Sequence, residues 1–113
     1  MQHRDKIIFE KIINEINIAQ SMMGESSQAD FLQNEMLKRA IGMTAINIGE
    51  LVKNVTDETR SRYKDIPWKA VAGMRDITAH KYGTLRMEEV YTTVHVDFPF
   101  LKQILTDILQ KGF

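Results

Sequence analysis

Residues 5–23, DKIIFEKIINEINIAQSMM, carry the pattern on which the fold depends. Apolar side chains recur in this stretch at spacings of three and four, with Lys, Glu and Asn between them; they are Ile8, Phe9, Ile12, Ile13, Ile16, Ala19 and Met23. A single apolar stripe of this kind is typical of an amphipathic helix packed against a core. The pattern predicts a first helix from about Asp5 to Met23, ended by Gly24, which can adopt the left-handed conformation.

The next segment, roughly 29–55, predicts one long helix capped by Ser27 or Asp30. It carries two apolar stripes, the first formed by Leu37, Ile41, Ile48, Val52 and Val55 and the second by Met36, Ala40 and Met43. A helix that is apolar on two sides is expected to be buried on two sides. The second stripe turns polar at Asn47 and Glu50, so we expect a wet or charged surface to meet that end. Alternatively, these two side chains are half-exposed and pair with a lysine.

Start and stop residues predict further helices in the second half of the chain. These cover about 56–63, 67–82, 84–95 and 97–110. The six Gly and two Pro are few, and both residue types interrupt helices. Short connections between amphipathic helices are typical of an antiparallel bundle. The sequence therefore predicts one all-α domain over residues 1–113, an antiparallel bundle of four to five helices.

The composition excludes several kinds of site. The chain has no Cys, so it can form neither a disulfide nor a thiolate zinc site. Its three histidines, His3, His80 and His95, lack the i, i+4 spacing of a helical metal site, and nothing indicates a cofactor. No apolar run approaches the roughly 18 residues of a membrane span. We expect a soluble cytoplasmic protein without a metal or a membrane partner.

The charge is unevenly distributed, although the formal net charge is zero. Residues 60–86 contain seven basic and two acidic side chains, a local net charge of +5, which leaves −5 on the rest of the chain. Such a run is either a set of solvated helix faces or a surface that attracts a polyanion. The run contains the octet RDITAHKY at residues 75–82, which bears on that choice.

The octet combines side chains that suit phosphate chemistry, but one straight helix does not place them together. Arg75 and His80 are five residues apart and point about 140° from each other, whereas Arg75 and Tyr82 are almost eclipsed. Arg75 would join His80 by its length, by loosening of the helix near Gly83, or by meeting the His80 of a second subunit. Asp76 is the i, i+4 neighbour that could orient His80. Each residue also has an ordinary structural alternative, such as a dipole contact or an ion pair.

The longer stretch IGELVKNVTDETRSRYKDIPWKAVAGMRDITAHKYG, residues 48–83, resembles the HepT branch of the HEPN ribonuclease toxins. These are small helical proteins with an Arg-x4–6-His signature, often extended to Arg-x4-His-x-Tyr. The resemblance covers nearly the whole chain and includes four further features: Gly49-Glu50, Pro67-Trp68, 73–76 and Phe98-Pro99. One departure is Tyr91, where many relatives carry Trp, and it leaves the motif unchanged.

The resemblance implies a HEPN-like homodimer in which two copies of the motif face each other across a cleft and cleave RNA without a metal. His80 would accept or donate a proton, Arg75 would hold the phosphate, and Asp76 would orient His80. The other candidate residues are Lys81, Lys69, Arg60 and Arg62 for attracting the RNA backbone, and Glu50 and Asn47 for supporting the site.

The same resemblance implies a protein partner, a nucleotidyltransferase antitoxin of the MNT type. In part of the family this enzyme adenylylates the motif tyrosine, which corresponds to Tyr82 in this chain. A bulky anion at Tyr82 would crowd the phosphate site beside Arg75. Two alternatives remain open: a non-catalytic nucleotide-binding or accessory subunit of a nucleotidyltransferase, and a purely structural dimeric bundle.

Overall fold

The computed structural model describes residues 1–76 and 87–111, with Arg75 and Asp76 described by their backbone alone. The α-helices are α1 (His3–Met23), α2 (Gln28–Gln33), α3 (Glu35–Lys53), α4 (Asp57–Arg62), α5 (Trp68–Ala72), α6 (Met87–Thr92) and α7 (Phe98–Lys111). A 3-10 turn, Gly73–Asp76, follows α5, and a π-helical turn, Thr93–Asp97, joins α6 to α7. The described residues contain no strand, and the predicted all-α bundle is confirmed.

The first helix forms as its apolar spacing predicts. It begins at His3 and ends at Met23, and Gly24 follows with a φ of +51°, which an L side chain rarely adopts. The cap of the next helix is also confirmed. The Asp30 N–H donates to Ser27 Oγ at 3.1 Å, and the Ser27 N–H donates to the Asp30 carboxylate at 3.4 Å. Two otherwise unpaired helix donors are satisfied by this reciprocal pair.

The single long helix predicted over 29–55 is wrong, because Asn34 divides it into α2 and α3. Asn34 has φ −103° and ψ 93°, outside the helical region, and its side-chain oxygen accepts from the Leu37 N–H at 3.0 Å. Asn favours this capping geometry over a helix interior. The break allows the separate segment α2 to bury Phe31 completely.

The core is centred on α1, which packs against α3 and α7, while α5 and the 3-10 turn pack against α3. The first apolar stripe of α3 is buried as predicted at Ile41, Ile48, Val52 and Val55. The second stripe is not buried: Met36 is 82% exposed and Met43 is 58% exposed. The prediction of a helix buried on two sides is therefore wrong for the described residues, since none of their helices covers that side.

Two later helices also differ from their predicted form. The helix predicted over 67–82 is α-helical only to Ala72 and then tightens into the 3-10 turn; residues 77–86 lie outside the described residues. Glycine is a poor helix former, and Gly73 stands at the transition. The gap predicted before Asp97 is a π-helical turn, in which the Phe98 N–H donates to the Thr93 carbonyl. Pro99 has no N–H for the α-helical register, and the wider turn precedes it.

Candidate functional site

The 3-10 turn Gly73–Asp76 carries the first two residues of the Arg-x4-His-x-Tyr motif. This turn packs against α3, the helix that holds Asn47 and Glu50. The backbone of Arg75 is therefore supported by the longest packed helix pair of the bundle, α1 and α3, rather than by a loop. Rigid elements position catalytic groups more closely than loops do.

The remaining motif residues, His80, Lys81 and Tyr82, lie outside the described residues. The side chains of Arg75 and Asp76 are likewise not described. Their predicted roles, and the angular relation between Arg75 and His80, therefore stay predictions.

A polar groove of about 340 Å³ lies between α1 and α3 and contains both supporting candidates. Asn47 donates from Nδ2 to the Glu15 carboxylate at 3.5 Å, and Glu50 is exposed on the same groove. Lys11 of α1 also lines it. The charged surface expected at the polar end of the second stripe is thus present, and α1 supplies it. The structure brings Asn47 and Glu50 together with charged groups of α1.

Arg60 has structural partners at the C-terminal end of α3. Its Nη2 donates to the Val52 carbonyl at 2.7 Å and its Nε to the Val55 carbonyl at 3.2 Å. The guanidinium carbon also lies 5.8 Å from the ring centroid of Trp68. The last carbonyls of a helix lack intrahelical donors, so Arg60 satisfies groups that would otherwise be unpaired. Its predicted role in binding RNA stays a prediction.

The other cations predicted to attract RNA are placed differently. Arg62 is exposed, and its guanidinium carbon lies 5.6 Å from the ring centroid of Tyr63. Lys69 is exposed on α5, the helix that leads into the turn carrying Arg75. Both side chains are accessible to a ligand that approaches from solvent.

The sequence reasoning missed a buried carboxylate that joins α1 to α4. Asp5 is completely buried and accepts three hydrogen bonds, from the Thr56 N–H at 3.1 Å, the Thr56 hydroxyl at 2.5 Å and the Thr59 hydroxyl at 2.6 Å. Thr56 also caps α4, accepting from the Thr59 N–H. The cap was visible in the sequence, but a partner about fifty residues earlier was not. We refer to Asp5, Thr56 and Thr59 as the Asp5 junction.

The Asp5 junction favours the ionised carboxylate. Burial raises the pKa of Asp5, but the hydrogen bonds from Thr56 and Thr59 outweigh burial, and the charge of Arg4 adds to them. The pKa of Asp5 is therefore held below its ordinary value. Arg4 itself donates to the Asn54 carbonyl at 3.0 Å, so the start of α1 and the end of α3 are joined at the same place.

Comparison with known proteins places the chain in a family. The family model described as Ribonuclease HepT-like matches residues 12–108, a range that contains the groove, the Arg75 turn and the whole motif. The chain belongs to the HepT-like ribonuclease family.

Individual relatives agree with this assignment. A protein of Caldanaerobacter subterraneus subsp. tengcongensis, provisionally named an RNase, is 33% identical over 102 residues, covering 90% of this chain and 91% of the relative. A provisionally named RNase of Methanocaldococcus jannaschii is 31% identical over 103 residues, covering 91% and 82%. A Thermococcus cleftensis protein, provisionally named ribonuclease HepT, is 29% identical over 102 residues, covering 90% and 93%. No solved structure matches the chain. The HepT-like matches support a ribonuclease.

Two searches of the structure concern other kinds of site. Among residues 1–76 and 87–111, no helix combines the length and the apolar character that crossing a membrane requires. In the same part of the chain, no cluster of three or more His, Asp or Glu side chains is placed to hold a metal ion.

Proposed function

We propose that this HepT-like protein is a metal-independent endoribonuclease toxin that cleaves RNA in a cleft shared by two copies of the chain. The observation that carries the proposal is the family match over residues 12–108, which contains the complete Arg75-x4-His80-x-Tyr82 motif. The packing of the Arg75 turn against α3 supports it, because that packing gives the phosphate-binding arginine a fixed base.

The residue types of the motif suit cleavage through the ribose 2′-hydroxyl. His80 accepts the proton of the 2′-OH as its oxygen attacks the neighbouring phosphorus, and the P–O5′ bond breaks. The leaving 5′-oxygen takes a proton, supplied in a dimer by the second His80, and a 2′,3′-cyclic phosphate remains. Arg75 stabilises the charge that develops on the phosphate oxygens with its forked donors. Asp76 orients His80 from the next turn.

The nuclease test compares the natural chain with His80→Ala and with a matched control, His3→Ala, since His3 is exposed at the start of α1. Purified protein is incubated with end-labelled RNA in the presence of a metal chelator. We expect His80→Ala to lose about 10²–10⁴ of the cleavage rate, as is usual for a general acid or base. His3→Ala keeps the natural rate.

Two results would contradict the nuclease proposal. One is intact RNA with the natural chain at every protein concentration, which would favour the non-catalytic accessory subunit. The other is an equal rate for the His80→Ala protein, which would place catalysis elsewhere. Loss of cleavage on chelation would overturn metal independence alone.

The shared cleft can be tested by mixing inactive subunits. Arg75→Ala and His80→Ala proteins are each expected to be inactive alone. A mixed dimer retains one Arg75 and one His80 on different chains, and we expect it to regain part of the activity. Absence of activity in isolated mixed dimers would show that each site uses both residues of the same chain. Sedimentation of the natural chain checks the dimer directly.

We further propose that an MNT-type nucleotidyltransferase neutralises the toxin by adenylylating Tyr82. The conservative variant Tyr82→Phe removes only the acceptor oxygen and should cleave RNA normally while escaping the antitoxin. Tyr91→Phe is the matched control, because the Tyr91 hydroxyl donates to the Ser26 carbonyl at 3.0 Å within the bundle. Mass spectrometry of each protein after incubation with the antitoxin and ATP measures the adduct. An adduct on the Tyr82→Phe protein would exclude Tyr82 as the target.

A further inference from the structure

A cleft of about 660 Å³ separates the α4–α5 connection from the C-terminal helix α7. Three cationic side chains line it: Arg62 and Lys64 from the connection side and Lys111 from the end of α7. Each of the three is exposed. Lys64 and Lys111 come from distant parts of the chain, so the spacing of the sequence gave no signal for this group.

The cations of this cleft are not neutralised by ion pairs. Asp65 and Asp107 also line it, yet within the described residues none of the three cations lies within 4 Å of a carboxylate oxygen. Asp107 instead accepts from Gln103 Nε2 at 2.9 Å. With three positive and two negative groups the cleft keeps a net positive charge. A ligand that carries phosphate would gain contacts that the protein itself does not use.

The floor of the cleft is apolar. Ile66 and Ile108 are buried, and Ile104 is partly buried between them and solvent. At the rim, the Arg62 guanidinium lies over the Tyr63 ring. Flat guanidinium and aromatic groups are surfaces on which unpaired RNA bases stack. The cleft therefore combines sites for phosphate with surfaces for a base, the two components of a single-stranded nucleic acid.

We infer that this cleft binds a single-stranded segment of the RNA substrate away from the cleaved bond. The inference rests on the proposed ribonuclease function. The connection that forms the cleft leads directly into α5 and the turn carrying Arg75, and Trp68 to Arg75 spans roughly 10 Å at 1.5–2 Å per residue. One strand of a few nucleotides can therefore contact Arg75 and the cleft together. The cleft sets how tightly a longer RNA binds, while the motif cleaves it.

The test measures binding separately from cleavage. A fluorescent 2′-O-methyl RNA 12-mer lacks the attacking hydroxyl, so it reports affinity alone. The cleft variant is Arg62→Gln/Lys64→Gln/Lys111→Gln. The control variant removes the same charge from exposed or half-exposed lysines outside the cleft, Lys6→Gln/Lys53→Gln/Lys102→Gln.

We expect the cleft variant to bind the 12-mer at least about tenfold more weakly than the control variant. Its dependence of log K on log salt should also fall by about 2, because each lost phosphate contact on a single strand removes about 0.7 from that slope. A 3-mer, too short to reach from the motif into the cleft, should bind both variants equally. Equal affinities of the two variants for the 12-mer would overturn the inference.

A photo-crosslink identifies the contact positively. A 12-mer carrying 4-thiouridine is irradiated with the natural chain, and the crosslinked peptides are mapped by mass spectrometry. Peptides that contain Tyr63 or Lys111 would support the cleft, and crosslinks confined to other surfaces would overturn it. Because the His80→Ala protein retains the cleft, crosslinking at Tyr63 without any cleavage by the natural chain would refute the nuclease proposal and leave the RNA-binding cleft intact.

Discussion

The two sides of the short helix α4 use their polar residues in opposite ways. On the inner side, Thr59 donates to Asp5, and Arg60 donates to two carbonyls at the end of α3. On the outer side, Arg62 and Lys64 line an open cleft, and neither forms an ion pair with a described residue. Arg60 and Arg62 are two residues apart and indistinguishable by composition. Their hydrogen-bond partners, and not the local charge, separate a structural arginine from one that is accessible to a ligand.

The largest loss of stability is expected at the Asp5 junction. Asp5→Ala removes the acceptor of three hydrogen bonds and leaves two buried or half-buried hydroxyls and one N–H without it. We expect the free energy of unfolding to fall by about 3 kcal/mol. Urea unfolding followed by circular dichroism measures the loss. Asp57→Ala, an exposed residue of the same helix, should cost less than about 1 kcal/mol. Equal losses for the two variants would show that the junction adds no stability of its own.

Part of the same contribution should disappear in acid. Because the pKa of Asp5 is lowered in the folded state, its ionisation stabilises the fold above the unfolded-state pKa, and this stabilisation is lost as the pH falls through the folded-state pKa. Asp5→Asn has no carboxylate to protonate. The difference in unfolding free energy between the natural chain and Asp5→Asn should be constant above about pH 5 and shrink below it. A difference that stays constant down to about pH 2 would contradict the lowered pKa.

The contrast between Arg60 and Arg62 predicts opposite outcomes for one substitution. Arg60→Gln leaves the Val52 and Val55 carbonyls without their guanidinium donors and should cost about 2 kcal/mol of stability. Arg62→Gln changes an exposed side chain and should cost less than about 0.5 kcal/mol. Urea unfolding measures both, and the 12-mer affinity is read on the same preparations. If Arg62→Gln were the more destabilising, the separation of the two sides of α4 would be wrong.

The sequence predicted those parts of the structure that depend on neighbouring residues. The α1 stripe, the Gly24 stop and the caps at Ser27 and Thr56 are local patterns, and each is confirmed. The break at Asn34 was missed because the apolar spacing on either side of it continues as if one helix ran through.

Contacts between distant residues were not predictable from one sequence. The three-donor site of Asp5 joins the start of α1 to α4, and the cleft joins Lys64 to Lys111. Spacing cannot show such pairs, because they depend on how the helices pack. Of the candidate site, the sequence supplied the motif and the polar end of α3. The structure added that the Arg75 turn packs on α3 and that Arg60 is engaged in capping it.

The smallest effect is expected on the outer stripe of α3, where the prediction of burial was wrong. Met43 is 58% exposed, so Met43→Gln should change the free energy of unfolding of dilute protein by less than about 0.5 kcal/mol. Ile48→Ala, on the buried stripe of the same helix, should cost about 2–5 kcal/mol. A larger Met43→Gln loss that grows with protein concentration would mean that a second copy covers the stripe. A loss independent of concentration would mean that the chain itself covers Met43, contrary to the exposure seen here.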